Sequence, residues 1–137
     1  MVVSDGYCGF SVSGGMRSYY GRFGLVEIQS TFYNVPRLET IEKLRTDAPN
    51  IFEFAPKMFQ GTTHPTSSLT WRRFRGKLFN VHKDSEKYGF LRPTDEVLDC
   101  WNMMTEICTR LKSQVTLIQT HPAPTAPKPT SRTWTRC

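Results

Sequence analysis

The segment VEIQSTFYNVP, residues Val26–Pro36, places a glutamate and a glutamine in a stretch whose other residues are typical of a buried strand. Side chains on a strand alternate between two faces, so Glu27, Gln29 and Thr31 are predicted to share one face. Burying a carboxylate among apolar groups is costly unless its charge is paired. In an open sheet with helices on both sides Glu27 would carry that cost, whereas the inward face of a closed barrel is polar near the carboxyl ends of its strands. The segment therefore favours a barrel.

Strand and helix patterns alternate on both sides of this segment. β-Branched and apolar runs predict strands at residues 2–10, 25–33, 51–59 and 115–119. Helical spacing and helix-end residues predict helices at residues 15–23, 37–48 and 93–113, the first closed by Gly24 and the second stopped before Pro49. This alternation argues for βαβ crossovers and a parallel sheet covered by helices.

The helix at residues 93–113 has the clearest pattern. Pro93 and Thr94 mark its start. One apolar stripe is predicted to face the core, formed by Val97, Trp101, Met104, Cys108 and Leu111. In the long connection at residues 60–92, only residues 67–74 suggest a helical turn.

Length and composition bound the class of protein. A chain of 137 residues fits one domain, and 38% hydrophobic with 22% charged residues is typical of a soluble protein. No apolar run could span a bilayer and the N-terminus has no secretory pattern, so a cytoplasmic protein is expected. The four cysteines form no CxxC pair, and we expect Cys100 and Cys108 to be small core residues.

The last stretch, HPAPTAPKPTSRTWTRC, differs from the rest. It supplies three basic residues and no acid to the formal net charge of +6, so the remaining chain is only mildly basic. Its four prolines and its lack of apolar periodicity predict a disordered tail at residues 121–137. This tail is either a Pro-rich linker or not the native continuation of the chain.

Five motifs carry a resemblance to a known family. They are YCGFSVS at the first strand, VEIQSTFYNVPRLETIEKLR across the second strand and its helix, FEFAPKMFQGTTHP from the third strand, YGFLRPTDEVLDCW opening the long helix, and VTLIQT at the fourth strand. Over residues 7–120 the chain resembles the YecE-like family of TIM-barrel proteins, labelled domain of unknown function seventy-two. The resemblance implies a barrel with Glu27, Phe32, Tyr33, Lys57, His64 and Gln119 at its rim. It names no established reaction and no cofactor.

The chain is shorter than the family implies, since a TIM barrel typically needs ~250 residues. We therefore expect residues 1–120 to form the first half, about four strands, of a TIM-like barrel. The change of composition at His121 motivates the hypothesis of a frameshifted or truncated coding sequence, which an intact reading frame on independent clones would remove. A half barrel is expected to be inactive and to self-associate through unpaired strand edges.

Glu27 and Lys57, on neighbouring predicted strands, are the first candidates for catalysis. They form either an acid/base pair in a partly closed pocket or a structural ion pair that neutralises two buried charges. His64 follows the third strand and is a candidate proton shuttle or metal ligand, or else a solvated loop residue. No second histidine or carboxylate stands at ligand spacing, so no metal site is predicted.

Four further residues are candidates for substrate binding: Gln29, Phe32, Tyr33 and Gln119. The aromatic pair either stacks on a ring-bearing substrate or packs at the rim. On this interpretation the parent protein is an enzyme of unassigned reaction, acting on a phosphorylated or nucleic-acid-derived substrate. The substrate class rests on charge and on barrel analogy.

The connection at residues 71–92 suggests a second function. It has seven Lys or Arg residues against two acids, with aromatic residues between them, a pattern that favours phosphate contacts and base stacking. The alternative is therefore a non-catalytic nucleic-acid-binding protein that uses Trp71, Arg72, Arg73, Arg75 and Lys77. A solvated basic loop with its aromatic side chains packed on the barrel would explain the same pattern. No Gly-rich phosphate loop, GxSxG, HExxH or CxxC motif supports other chemistry.

Overall fold

Strands and helices alternate along the chain, as the sequence predicts. The computed structural model describes residues 6–10, 13–76 and 84–122. Its strands are β1 (Gly6–Cys8), β2 (Leu25–Ile28) and β3 (Glu53–Pro56). Its helices are α1 (Gly15–Tyr20), α2 (Ser30–Tyr33), α3 (Leu38–Asp47), α4 (Gln60–Thr63) and α5 (Asp95–Leu111), with 3₁₀ turns at Leu69–Arg73 and Ser85–Lys87. The predicted disordered tail lies, beyond Pro122, outside the described residues.

All pairing between the three strands is parallel. The strand order is β1-β2-β3, so each strand lies beside the next one in the chain. On the central strand, Glu27 lies opposite Cys8 on one side and opposite Ala55 on the other. This mixed α/β architecture is consistent with the predicted partial TIM-like fold.

The second strand is shorter than predicted. The chain leaves the extended conformation after β2, and α2 follows as a single helical turn. Thr31 holds this turn, because its hydroxyl lies 2.7 Å from the carbonyl oxygens of both Ile28 and Lys57. The predicted shared face of Glu27, Gln29 and Thr31 is therefore wrong: Thr31 is fully buried and Gln29 is exposed.

The predicted fourth strand, residues 115–119, is reduced to one parallel bridge between Lys57 and Leu117. The Leu117 N–H donates to the Pro56 carbonyl at 3.0 Å, and the Met58 N–H donates to the Leu117 carbonyl at 2.8 Å. The segment thus extends the sheet beyond β3 in the predicted direction.

Tyr19 on helix α1 ties the first two strands together. It is fully buried, and its hydroxyl accepts the Tyr7 N–H at 2.6 Å while donating to the Leu25 carbonyl at 3.0 Å. The helix ends earlier than predicted, with Gly21 rather than Gly24 after its last turn.

Helix α3 ends before Pro49, as predicted, and its end is anchored by Arg45. The Arg45 guanidinium donates to the Phe52 carbonyl at 2.7 Å, to the Ala48 carbonyl at 3.3 Å and to the Pro49 carbonyl. The acceptors belong to the cap residue Ala48 and to the connection between the helix and β3. These bonds fix the entry of the chain into β3.

Helix α5 buries a stripe that differs in part from the prediction. Its start is capped by Thr94, whose hydroxyl accepts the Val97 N–H at 3.4 Å. The buried residues are Val97, Cys100, Met104, Ile107 and Leu111. Trp101 is 41% exposed and Cys108 is half-buried, so their predicted place in the core stripe was wrong, whereas that of Cys100 in the core is confirmed. Val97, Met104 and Leu111 belong to both the predicted and the observed stripe. The other two buried residues, Cys100 and Ile107, each stand one position before a predicted one.

A left-handed turn locks helix α4 in place. Gly89, Phe90 and Leu91 have φ angles of 83°, 56° and 53°. Their backbone N–H groups donate to carbonyl groups of α4 in the pairs Gly89–Gly61, Phe90–Thr63 and Leu91–Thr62. A Cβ at position 89 would lie 2.5 Å from the carbonyl carbon of His64, so only glycine fits there. The turn thereby fixes the backbone that carries His64.

Candidate functional site

Polar side chains gather at the carboxyl ends of the strands, as the sequence predicts. Cys8 is the last residue of β1, Glu27 lies in the second half of β2, and Lys57 directly follows β3. Because the strands are parallel, these ends lie at one edge of the sheet, where ligands of α/β proteins commonly bind.

Glu27 and Lys57 form an ion pair at this edge. Lys57 Nζ lies 4.0 Å from Glu27 Oε1, and the Lys57 and Glu27 side chains are 11% and 26% exposed, respectively. The Lys57 ammonium also lies 5.0 Å from the centre of the Phe32 ring, a distance that suits a cation–π contact. The backbone of Lys57 is held as well, since its N–H donates to the Ile28 carbonyl at 3.2 Å. The pair is therefore fixed in place. Its geometry allows either predicted role, that of an acid/base pair or that of a structural ion pair.

His64 is buried, with 3% of its surface exposed, so the interpretation as a solvated loop residue was wrong. Its Nδ1 is hydrogen-bonded to the Thr63 hydroxyl at 2.8 Å, and its ring packs edge-on against Phe32 at 4.9 Å. Burial lowers the pKa of His64 below 6.5, and repulsion from His121 and Lys57 lowers it further. The imidazole is therefore neutral at neutral pH.

A cavity of about 440 Å³ opens beside Glu27. The polar side chains of its lining are Cys8, Glu27, Gln29, Ser30 and Thr40. The apolar ones are Phe10, Ile28, Pro36, Ile41 and Leu44, and Tyr33 contributes an aromatic ring. Its volume falls in the range of roughly 300–1,000 Å³ that is usual for small-molecule pockets. The cavity lining thus combines a charged side chain with apolar side chains.

Cys8 is a site residue that sequence reasoning missed. It is exposed, and its thiol lies 3.2 Å from Gln29 Oε1. Partial burial and the nearby Glu27 carboxylate raise the pKa of this thiol, so it stays protonated at neutral pH and is a hydrogen-bond donor rather than a nucleophile. Its place at the end of the first predicted strand, level with Glu27, was the signal that could have revealed it.

The predicted aromatic pair divides between two roles. Phe32 is 2% exposed and packs edge-on against Tyr33 at 5.0 Å and against His64. Its role is therefore packing beneath the two rings of the site and not contact with solvent. Tyr33 is half-buried and lines the cavity. Of the two rings, Tyr33 alone borders this space.

The segment after the fourth predicted strand brings His121 close to His64. Gln119, the predicted substrate-binding residue of this segment, is exposed. The His121 ring lies 5.3 Å from that of His64 and 6.0 Å from that of Phe90. Sequence reasoning assigned His121 to the tail, and its position two residues after a predicted strand end was the available signal.

The basic connection is anchored by its aromatic residues. Trp71 is half-buried, donates its indole N–H to the His64 carbonyl at 3.3 Å and packs against Phe59 at 5.8 Å and Tyr88 at 5.9 Å. Arg72 and Arg73 are exposed, as is Arg75, and Lys77 lies outside the described residues. The indole predicted to stack on bases is thus engaged within the protein.

Neither a cluster of metal ligands nor a membrane-spanning helix occurs in the described residues. Within residues 6–10, 13–76 and 84–122, no group of three or more His, Cys, Asp or Glu side chains is arranged to hold a metal ion. No helix in this part of the chain combines the length and apolar character that a membrane crossing requires.

Comparison with known proteins gives one finding. A family model with the description "Protein of unknown function DUF72" matches residues 10–132. No curated protein and no solved structure matches the chain significantly. The family match extends past Thr120, where the five motifs end.

Proposed function

We propose, from the premise that the chain belongs to the DUF72 family of proteins of unknown function, that the carboxyl ends of β2 and β3 form the site of an enzyme that moves a proton on a small polar substrate. The observation that carries this proposal is the Glu27–Lys57 pair, 4.0 Å apart and largely buried, beside a cavity that Glu27 itself lines. A purely structural ion pair would not need an adjoining space of ligand size.

The three candidate groups suit different parts of such a reaction. The Glu27 carboxylate borders the cavity and can take a proton from a bound ligand. The Lys57 ammonium, beside it, can stabilise negative charge that develops on the ligand. His64 is neutral, so its ring can accept a proton while Nδ1 is held by the Thr63 hydroxyl. Cys8 and Gln29 would orient the substrate by hydrogen bonds.

Exchange of substrate protons with solvent deuterium tests this proposal even when the product of the reaction is not identified. Matched pairs of phosphorylated and unphosphorylated sugars and nucleosides would first be screened for binding by thermal shift. Ligands that bind would then be followed in heavy water by proton NMR. We expect the Glu27→Gln variant to retain binding but to exchange protons about 100-fold more slowly, because general bases typically contribute about 10²–10⁴-fold.

The matched control is Glu39→Gln, which makes the same chemical change at an exposed position of helix α3. We expect this variant to exchange protons at the rate of the unmodified protein. Unchanged exchange in Glu27→Gln would refute the proposed role of Glu27.

Nucleic-acid binding is the second candidate function, supported by the exposure of Arg72 and Arg75. Against it stands Trp71, whose indole N–H and ring are engaged by His64, Phe59 and Tyr88. Steep salt dependence of RNA or DNA binding, unchanged by Glu27→Gln, would favour this second function.

A further inference from the structure

We propose that Arg73, stacked on the ring of Tyr33, binds the phosphate group of a phosphate-monoester ligand whose other end reaches Glu27. This inference rests on the proposed function and names its substrate class. Arg73 belongs to the predicted basic connection, together with Arg72 and Arg75. In the structure its side chain borders a cavity.

A second cavity adjoins the cavity beside Glu27. Its volume is about 470 Å³, and its lining residues are Ser30, Tyr33, Asn34, Pro36 and Arg73. Three of these, Ser30, Tyr33 and Pro36, also line the first cavity. A ligand can therefore extend from Glu27 past the Tyr33 ring to Arg73.

The guanidinium group of Arg73 is held in position on this wall. Its central carbon lies 4.8 Å from the centre of the Tyr33 ring, which suits stacking of a planar cation on an aromatic face. Asn34 fixes the backbone on both sides of Phe74: its Nδ2 donates to the Arg73 carbonyl at 3.0 Å, and its Oδ1 accepts the Arg75 N–H at 2.6 Å. Stacking covers a face of the guanidinium but leaves its N–H donors, which lie in the plane, able to bind an anion.

The charge of Arg73 is not neutralised by the described residues. Their ion pairs involve Lys57, Lys87 and Arg110 as cations, and none includes Arg73. The Arg75 guanidinium, in contrast, donates to the carbonyl groups of Arg72 and Phe74. Arg73 is thus a positioned cation at a cavity, without an anionic partner in the described part of the chain.

A phosphate monoester fits this environment better than other anions. The planar fork of an arginine matches two phosphate oxygens, and these charge-assisted bonds are stronger than neutral ones. A monoester also carries nearly two negative charges at neutral pH. Its remaining part would lie in the first cavity, beside the Glu27–Lys57 pair.

Titration of the protein with inorganic phosphate, followed by backbone amide NMR, tests the inference. We expect the signals of Tyr33, Asn34 and Arg73 to shift and to saturate with a dissociation constant on the order of 1 mM. In Arg73→Gln the affinity should fall about tenfold, the loss of one charge-assisted contact. In Arg72→Gln, the matched control on the same 3₁₀ turn, it should change less than about twofold.

A second variant tests the stacking. Tyr33→Leu removes the ring beneath the guanidinium, and we expect it to weaken phosphate binding by about threefold, less than the loss of Arg73 itself. Equal phosphate affinity in Arg73→Gln and the unmodified protein, with unchanged amide spectra elsewhere, would overturn the proposal. So would shifts confined to residues away from the two cavities.

The phosphate titration needs no turnover, so it is independent of the Glu27 test. We expect Glu27→Gln to bind phosphate as the unmodified protein does. Failure of the exchange experiment with phosphate still bound at Arg73 would refute the proposed reaction alone. A short single-stranded oligonucleotide serves as the competing ligand. Suppose that it binds about 100-fold more tightly than phosphate, and that Arg72→Gln weakens its binding as much as Arg73→Gln does. The ligand of this site would then be a nucleic-acid backbone and not a phosphate monoester.

Discussion

At the scale of the residue, an ion pair offsets the cost of placing the charged Glu27 side chain in a strand. The Lys57 ammonium lies 4.0 Å away, and the cation is more buried than the anion. Breaking such a pair from one side leaves a charge without compensation, whereas removing both charges can be nearly neutral. The stability of the two single variants and the double variant therefore reports how strongly the charges are coupled.

We predict that Glu27→Gln and Lys57→Met each lower the free energy of unfolding by about 1–3 kcal/mol, and that the double variant loses less than their sum by at least about 1 kcal/mol. Urea denaturation of the four proteins measures both quantities. The control is the exposed pair Arg110–Glu106, whose coupling should be smaller because solvent screens it. Additive losses at Glu27 and Lys57 would mean that the pair is not coupled.

His64 gives the protein a dependence of stability on pH. Burial lowers its pKa in the folded state below 6.5, the value expected in the unfolded chain. As pH falls through 6.5 the unfolded state takes up the proton first, so this contribution to stability is complete above that pH and is lost below it. The slope is at most about 1.4 kcal/mol per pH unit.

We predict that His64→Gln removes this part of the pH dependence. The free energy of unfolding would be measured by urea denaturation from about pH 7.5 to pH 5.5 in both proteins, and the unmodified protein should lose more of it. His121→Gln should weaken this dependence less than His64→Gln does, because it removes one cause of the lowered pKa of His64 and leaves the burial of His64 unchanged. Parallel pH profiles for His64→Gln and the unmodified protein would contradict the assignment.

Sequence reasoning anticipated part of this site and missed the rest for a physical reason. Glu27 and Lys57 could be paired in advance because parallel strands bring their carboxyl ends to one edge. The burial of His64 could not be predicted in this way, since Gly89, which packs against the His64 backbone, lies far along the chain. The position of Arg73 over Tyr33 is likewise a tertiary contact without a local signal.

At the scale of the element, helix α5 was the easiest to predict and α2 the hardest. Capping by Thr94 and a repeated apolar spacing mark α5 in the sequence. The residues of α2, in contrast, are Ser, Thr, Phe and Tyr, most of which favour strands. The bond from Thr31 to the Lys57 carbonyl selects the helical turn, so tertiary structure overrides local preference.

The left-handed turn at Gly89–Leu91 offers a test at this scale. We predict that Gly89→Ala lowers the free energy of unfolding by about 2–5 kcal/mol, because the new Cβ adds both backbone strain and a clash with the His64 backbone. Gly15→Ala is a matched control: its φ is +69°, but a Cβ there meets nothing within 4 Å. That variant should lose only about 1–2 kcal/mol. Equal losses would show that the clash is relieved elsewhere.

At the scale of the whole molecule, the parallel strands in chain order and the family were both predicted from the sequence. Each strand lies beside the next, as alternating strands and helices require. The extent of the fourth strand was not predicted, because its apolar residues suit a strand whether or not a neighbour is present to pair with it. Val115, Leu117 and Ile118 are 47%, 42% and 48% exposed in the structure.

We predict that the chain of residues 1–137 self-associates through this segment, since contiguous exposed apolar groups beside a sheet edge favour pairing. Light scattering after size exclusion should give more than the mass of one chain, and Ile118→Lys should shift the population towards the monomer. Ile51→Lys is the control, as it replaces an isolated apolar side chain that is 95% exposed. A monomer with a cooperative thermal transition would contradict the prediction.

The turn that locks α4 also has a consequence for the growing chain on the ribosome. β1, β2 and β3 can pair in the order of their synthesis, and with them the Glu27–Lys57 pair can form early. The backbone of His64 must wait until Gly89–Leu91 has emerged. Nascent chains stalled before Gly89 are therefore expected to protect β2 amides from hydrogen exchange while leaving His64 open to acylation by diethyl pyrocarbonate. The histidine is thus the last part of the site to be completed.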